Sequence, residues 1–435
     1  MRWFDWVTGG PARMGPAPRM RGSSSPLRVL VRPSTWLLLG IYLVGGVRIA
    51  AMLRAGFADF PVATVTASVL FTLYAVPFVV LLRMIDYLER EPARLQAMAA
   101  LWGGLVATAA AVSGGAAVQN LMAKLGSPAL AAQWGQAVSG AAVEELVKVA
   151  GVIAIALVAP GHINGVVDGF VYGALVGLGF QTVENIAFSL NAVASDVGAD
   201  AVGPVIATLL VRGFLSGLWS HTLFTGLAGA GVAYALVRRD RTVIQRAAVA
   251  IGLFAVASGF HLLWNAPVLS GARLGLFGVM VMLLVKGIPA LLVGVGLVVA
   301  AERRESEYYA GLLAGVADHR VATPDEITAL VSPRRRLAAR QRARDRLGAA
   351  GARAVRRLQR AQARLAVALS RDPAGEVPRR RREVLRRRHQ LLALALNGAD
   401  RPTRRTTVPV VVIGVVLGVA AVVGVAVAIQ LIPNA

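Results

Sequence analysis

Four short stretches of this 435-residue chain set carboxylates, imidazoles and carboxamides inside apolar runs. They are Glu144-Glu145-Leu146-Val147-Lys148, Phe180-Gln181-Thr182-Val183-Glu184-Asn185, His221-Thr222-Leu223-Phe224-Thr225 and His261-Leu262-Leu263-Trp264-Asn265. An ionisable group inside lipid is expensive, so each is a functional candidate by default. Glu144 and Lys148 have the spacing and order of a favourable intrahelical pair. One lysine neutralises only one of two adjacent carboxylates, which is more acid than a helix staple needs. His261 and Asn265 lie one turn apart on a shared face, where both can address one carbonyl or one water.

Hydrolysis of a peptide bond is the chemistry that fits this set. It needs a water, a base and donors for the developing oxyanion. Neutral histidine and carboxylate are also good zinc ligands, and a catalytic zinc site leaves a position open for a water whose pKa falls to about 7. Glu184, His221 and His261 can supply three ligands to a divalent ion, zinc being the natural choice, with Glu144 or Glu145 as base. A metal-free arrangement instead sets Glu144 and Glu184 on the water, with His261 and Asn265 as oxyanion donors. The chain has no cysteine, which excludes disulfides, thiolate nucleophiles and Cys-ligated metal sites. There is no HExxH, no GxSxG elbow and no Gly-rich phosphate loop.

The elements that must position these groups are membrane helices. Hydrophobic residues make up 56% of the chain and its mean hydropathy is +0.62. The apolar residues come in long uncharged runs, as lipid-embedded helices require. Spanning-length runs cover 35–53, 62–85, 97–122, 137–159, 165–190, 204–237, 247–267, 274–300 and 408–432. This predicts an all-α polytopic membrane bundle of about eight or nine transmembrane helices. The run 204–237 is too long for one straight crossing, which predicts a re-entrant or tilted lead-in around Arg212 and Gly213.

Charge orients the bundle. The basic segments Arg238–Arg246 and 301–407 both fall on the side of the basic N-terminal stretch when loops alternate, whereas 191–203 carries Asp196 and Asp200 and no base. The positive-inside rule then predicts a multi-pass protein of the plasma (bacterial inner) membrane, N-terminus cytoplasmic and C-terminus extracytoplasmic. On that topology Glu144 comes early in an inward-running helix, while Glu184 and His261 come late in outward-running ones. All three fall in the outer half of the bilayer.

Four regions are expected: a disordered basic tail over 1–33, a bundle over 34–300 with its chemical core at 130–300, an Arg-rich cytoplasmic helical hairpin over 301–407, and a last transmembrane helix over 408–435. From Arg303 to Thr407, 26 arginines face 10 acids, so +16 of the formal +23 lies there. Thr323-Pro324-Asp325-Glu326 reads as a helix start with a capping box. The region is expected to face anionic lipid headgroups. Its only aromatics are Tyr308 and Tyr309, close to its start, so nucleic acid is not an expected partner.

The four motifs, in this order on consecutive helices, resemble the PrsW family of intramembrane proteases, within the CAAX prenyl-protease and bacteriocin-immunity superfamily. That family's pattern is EExxK, then FxxxE followed by Asn, then His-x-x-Phe-Thr/Ser, then HxxxN. Glu144-Glu145…Lys148, Phe180…Glu184-Asn185, His221…Phe224-Thr225 and His261…Asn265 match in turn, across about 130–300. The prenyl-protease relatives carry a histidine where this chain has Glu184. The resemblance implies an intramembrane metalloprotease acting on single-span membrane proteins, such as a membrane-bound anti-sigma factor cut on its extracytoplasmic side. The rival class is a non-enzymatic transporter or scaffold with a Glu/His core.

Overall fold

The computed structural model describes residues 33–85, 91–159, 161–196, 199–215, 220–268, 278, 281, 283–371 and 375–397. The basic tail and the last expected span, 408–432, lie outside these residues. The described chain is helical throughout, with no strand among the described residues. Pro33 and Pro61 open α1 (Pro33–Asp59) and α2 (Pro61–Ile85). Proline suits a first turn, where its missing N–H would have no partner. α3 runs Ala93–Leu125, with a π-helical turn at Trp102–Ala107. α4 (Pro128–Ser139) passes through a second π turn, Gly140–Glu144, into α5 (Glu145–Val158). α6 (Val166–Ser195) is the central helix; α7 (Gly203–Thr208) continues as a π segment over Leu209–Leu215. α8 (Ser220–Val237) and α9 (Val243–Asn265) form a hairpin, and a π turn at Leu283–Gly287 leads into α10 (Ile288–Gly315).

Seven helices among the described residues are long and apolar enough to cross a membrane. The nine expected runs differ from these for physical reasons. The run 137–159 is helical, but its start is Pro128 and it carries three charges at its middle, so it is not among the seven. The run 204–237 divides into the short α7 with its π segment and the separate α8, as its length required. α10 does not stop at residue 300 but continues to Gly315, because its second half buries Tyr309 and Leu313 in a separate polar-region core.

α6 is buried along most of its length, while α1 and α2 turn Leu37, Leu43, Val44 and Leu73 outward. In water such faces would be large apolar patches; here they are the lipid surface. Small residues decide how closely α8 meets α6. A Cβ on Gly173 would stand 2.2 Å from the Thr225 carbonyl oxygen, and one on Gly177 would stand 2.1 Å from that of His221. The pairing is antiparallel, Gly169 meeting Gly229 and Ala233 at the far end. It therefore sets the first turn of α8 beside the Glu184 region of α6.

The Arg-rich region folds as α11 (Pro324–Leu330), α12 (Pro333–Arg371) and α13 (Glu376–Asn397). The capping box forms: the Glu326 amide donates to Thr323 Oγ1 at 3.3 Å and the Thr323 amide donates to Glu326 Oε2 at 3.0 Å. α12 bends at Gly348, whose φ of 66° lies in the left-handed region. Leu330, Leu358, Leu365 and Val384 join Tyr309 and Leu313 in the core. Arg336 donates to Glu302 at 2.8 Å, and Glu305 accepts from the Val167 amide at 3.3 Å. These contacts fasten the region to the start of α6.

Candidate active site

Lys148 sits at the centre of the four motifs. Its ammonium, fully buried, donates to Glu144 Oε2 at 3.0 Å, Glu145 Oε1 at 3.1 Å and His221 Nδ1 at 2.9 Å. Those contacts use all three ammonium hydrogens. The charge also lies 3.7 Å from the centre of the Phe180 ring, a cation–π contact. A lysine thus joins motifs from α5, α6 and α8.

The lysine also fixes the state of His221. An ammonium can only donate, so Nδ1 accepts and Nε2 carries the proton. That N–H points at Glu184 Oε2, 3.1 Å away. The same oxygen accepts from Arg212 at 2.6 Å, and Arg212 Nε donates to Asn185 Oδ1 at 2.9 Å. Arg212 stacks over Phe188 at 3.7 Å. The π segment after α7 carries Arg212 there, and Tyr74 of α2 holds the segment by donating to the Gly213 carbonyl at 2.7 Å. Sequence proximity to the acids is the only signal that singles out Arg212; its partner is set by packing.

Glu145 and His261 form the inner pair. His261 Nδ1 donates to Glu145 Oε1 at 2.9 Å, and Thr225 Oγ1 donates to Glu145 Oε2 at 3.1 Å. Both Glu145 oxygens are therefore occupied, and the side chain is fully buried. Phe224 stacks on the His261 ring with centroids 5.6 Å apart. With Nδ1 protonated, Nε2 of His261 offers a lone pair. That atom is buried and has no hydrogen-bond partner among the described residues. Glu144 Oε2 is 3.8 Å from it, beyond a hydrogen bond but close enough for both atoms to touch one water or one ion. Gly140 keeps the space open, because a Cβ there would lie 2.9 Å from His261 Nε2 and 3.1 Å from Asn265 Nδ2.

These observations bear on a metal. Glu144, His221 and His261 each offer a ligand atom, all within 4.8 Å of one another. The Glu–His–His donor set suits zinc, and a histidine whose other nitrogen is held by a carboxylate is the usual arrangement for a metal-binding imidazole. The residues present therefore fit a divalent ion once the Lys148 ammonium gives up His221 Nδ1, the nitrogen it holds in this structure. The geometric trio contains Glu144 where the sequence suggested Glu184, since Glu184 is drawn off to Arg212 and the far side of His221.

A pocket of about 210 Å³ reaches this cluster. Glu184, Arg212, His221, Trp264 and Asn265 form part of its wall, with Gln136 of α4 facing them. Asn265 is an exposed residue on this wall, where a carboxamide can meet a substrate carbonyl. Lys286, in the π turn before α10, donates to the carbonyls of Trp264 and Ala266 at 3.4 and 2.8 Å. It caps the end of α9 that bears His261 and Asn265. Nothing in its own sequence neighbourhood marks that role.

The family model described as PrsW family intramembrane metalloprotease matches residues 91–291. The match takes in all four motifs and every residue of the cluster above. It supports the PrsW family and an intramembrane protease. No curated protein and no solved structure matches the chain.

Proposed function

With the PrsW-family match as premise, we propose that this chain is an intramembrane endopeptidase that cleaves single-span, membrane-anchored proteins near the extracytoplasmic face of the membrane. An anti-sigma factor is the substrate class the resemblance names, and the wider CAAX-protease superfamily is the grouping its motif order suggests. The observation that carries the reading is the bare His261 Nε2 beside Glu144, with Glu145 holding the far side of the ring. In this reading Glu144 and His261 hold a water between them. Glu144 takes its proton as the oxygen attacks the scissile carbonyl, and returns it to the leaving amine. Asn265, on the pocket wall, donates to the carbonyl oxygen as negative charge grows there. Glu145 and Thr225 fix the His261 ring; Glu184 fixes His221.

Glu144, His221 and His261 would hold a divalent ion, zinc by the character of that donor set. Such an ion supplies a Lewis acid and a more acidic water. In that form Glu184, held by Arg212, would orient the His221 ring. A second, metal-free form has its own support: Lys148 already sets a positive charge against Glu144, Glu145 and His221.

The test is reconstitution in lipid with candidate single-span substrates. Wild type should cleave them, and Glu144→Ala and His261→Ala should not. Equal cleavage by all three proteins would remove the enzyme reading and leave a transporter or scaffold. A chelator separates the two forms. Loss of activity restored by added zinc supports the ion. Unchanged activity, with Lys148→Met inactive, supports the metal-free form.

A further inference from the structure

Several arginines of α12 and α13 contact acids in pairs that hold the region together. Arg336 meets Glu302, Arg381 meets Asp318, and Arg388 meets Glu326. One group is different. Arg357, Arg360 and Arg364 recur along one face of α12, and Arg387 of α13 faces them across a groove of about 440 Å³. Among the described residues Glu383 is the only carboxylate lining that groove, and Arg364 shares it with Arg380 at 3.4 and 3.3 Å. Arg387 donates to a neutral partner, Gln390, at 3.0 Å. Arg360 has a partner of its own; Arg357, Arg364 and Arg387 against the Glu383 carboxylate leave about two positive charges facing one another, an arrangement that repels itself until an anion joins it.

We propose that this groove is a binding site for a phosphate-bearing polyanion, such as a phospholipid headgroup or a free polyphosphate. Guanidinium forks match phosphate oxygens two at a time, which lysines would not do. The volume falls in the usual range for ligand pockets and exceeds what one phosphate fills, so two linked phosphates or a phosphoglycerol fit better. No aromatic side chain among the described residues lines the groove, so they offer no stacking platform for bases. The site is separate from the hydrolytic cluster and does not depend on the protease reading.

The test uses the full chain in phosphatidylcholine nanodiscs, titrated with inorganic pyrophosphate by calorimetry. Arg357→Gln/Arg387→Gln should weaken binding about tenfold or more, since it removes two charge-assisted guanidinium forks. Arg342→Gln/Arg346→Gln removes the same charge from the other leg of α12 and should bind like wild type. Should the first pair unfold the region, Arg357→Lys/Arg387→Lys keeps the charge and should still weaken binding by losing the fork geometry. A second arm measures cardiolipin retained from mixed nanodiscs by mass spectrometry. Retention that falls in the groove variant names a lipid headgroup; a response to pyrophosphate alone names a soluble ligand. Equal losses in both Gln double variants, or no pyrophosphate binding and no cardiolipin retention by wild type, would overturn the proposal.

Discussion

Glu144 and Glu145 are neighbours in sequence with different work to do. Glu145 has no exposed side-chain surface and accepts from Lys148, His261 and Thr225. Glu144 keeps 11% of its side chain exposed and accepts only from Lys148 among these groups. The first organises the cluster and the second is placed to react. Their glutamine variants should separate the roles. Glu144→Gln should lower the cleavage rate by about 10²–10⁴-fold, the usual weight of a general base, with a smaller loss of thermal stability than Glu145→Gln because Glu144 is partly exposed and has fewer partners. Glu145→Gln should cost both, because removing one partner of a buried charge pair destabilises by about 3–5 kcal/mol. Rates on a reconstituted substrate and melting curves of the same preparations check this. Matching losses of stability in the two variants would contradict the division of labour.

At the scale of elements, the membrane helices and the four motifs were legible because apolar runs and isolated charges are local signals. Gly173 and Gly177 stand one turn apart ahead of Glu184, a spacing that lets another helix approach closely but does not say that α8 is the one. What stayed hidden was phase. The π turn at Gly140–Glu144 adds a residue to a turn of helix just before the acidic pair, so an α-helical wheel misaims Glu144 and Glu145. Arg212 stands in another π segment and Lys286 in a third, and both act on partners more than 15 residues away in sequence. The tight α6–α8 contact yields a direct prediction. Gly177→Val would drive side-chain atoms into the His221 carbonyl and part the two helices. The expected cost is at least the about 1–3 kcal/mol typical of overpacking, and cleavage should fall with it because His221 leaves Glu184. Lys286→Met tests positioning instead. It frees the end of α9, so kcat should fall while KM for the substrate changes little, and Glu144 chemistry should keep its pH profile.

At the scale of the whole molecule, the antiparallel packing of α6 on α8 and the α8–α9 hairpin fix which groups share an end of the bundle. Glu184 lies about 27 Å along α6 at 1.5 Å per residue, and His261 is in the last two turns of α9. Both are therefore far from the Arg238–Arg246 turn and from the Arg-rich region that Glu305 fastens to the start of α6. If basic segments face the cytoplasm, the cluster opens near the opposite surface. The chain has no cysteine, so single cysteines report sidedness without background. Ala194→Cys, exposed at the end of α6, should react with a membrane-impermeant maleimide in intact cells. Arg239→Cys, exposed in the basic turn, should react only after the membrane is permeabilised. The reverse pattern would invert the molecule and move the pocket of Glu184, His221 and Asn265 to the cytoplasmic half. Substrates would then have to present their cytoplasmic ends, and cleavage products mapped by mass spectrometry would show cuts on that side.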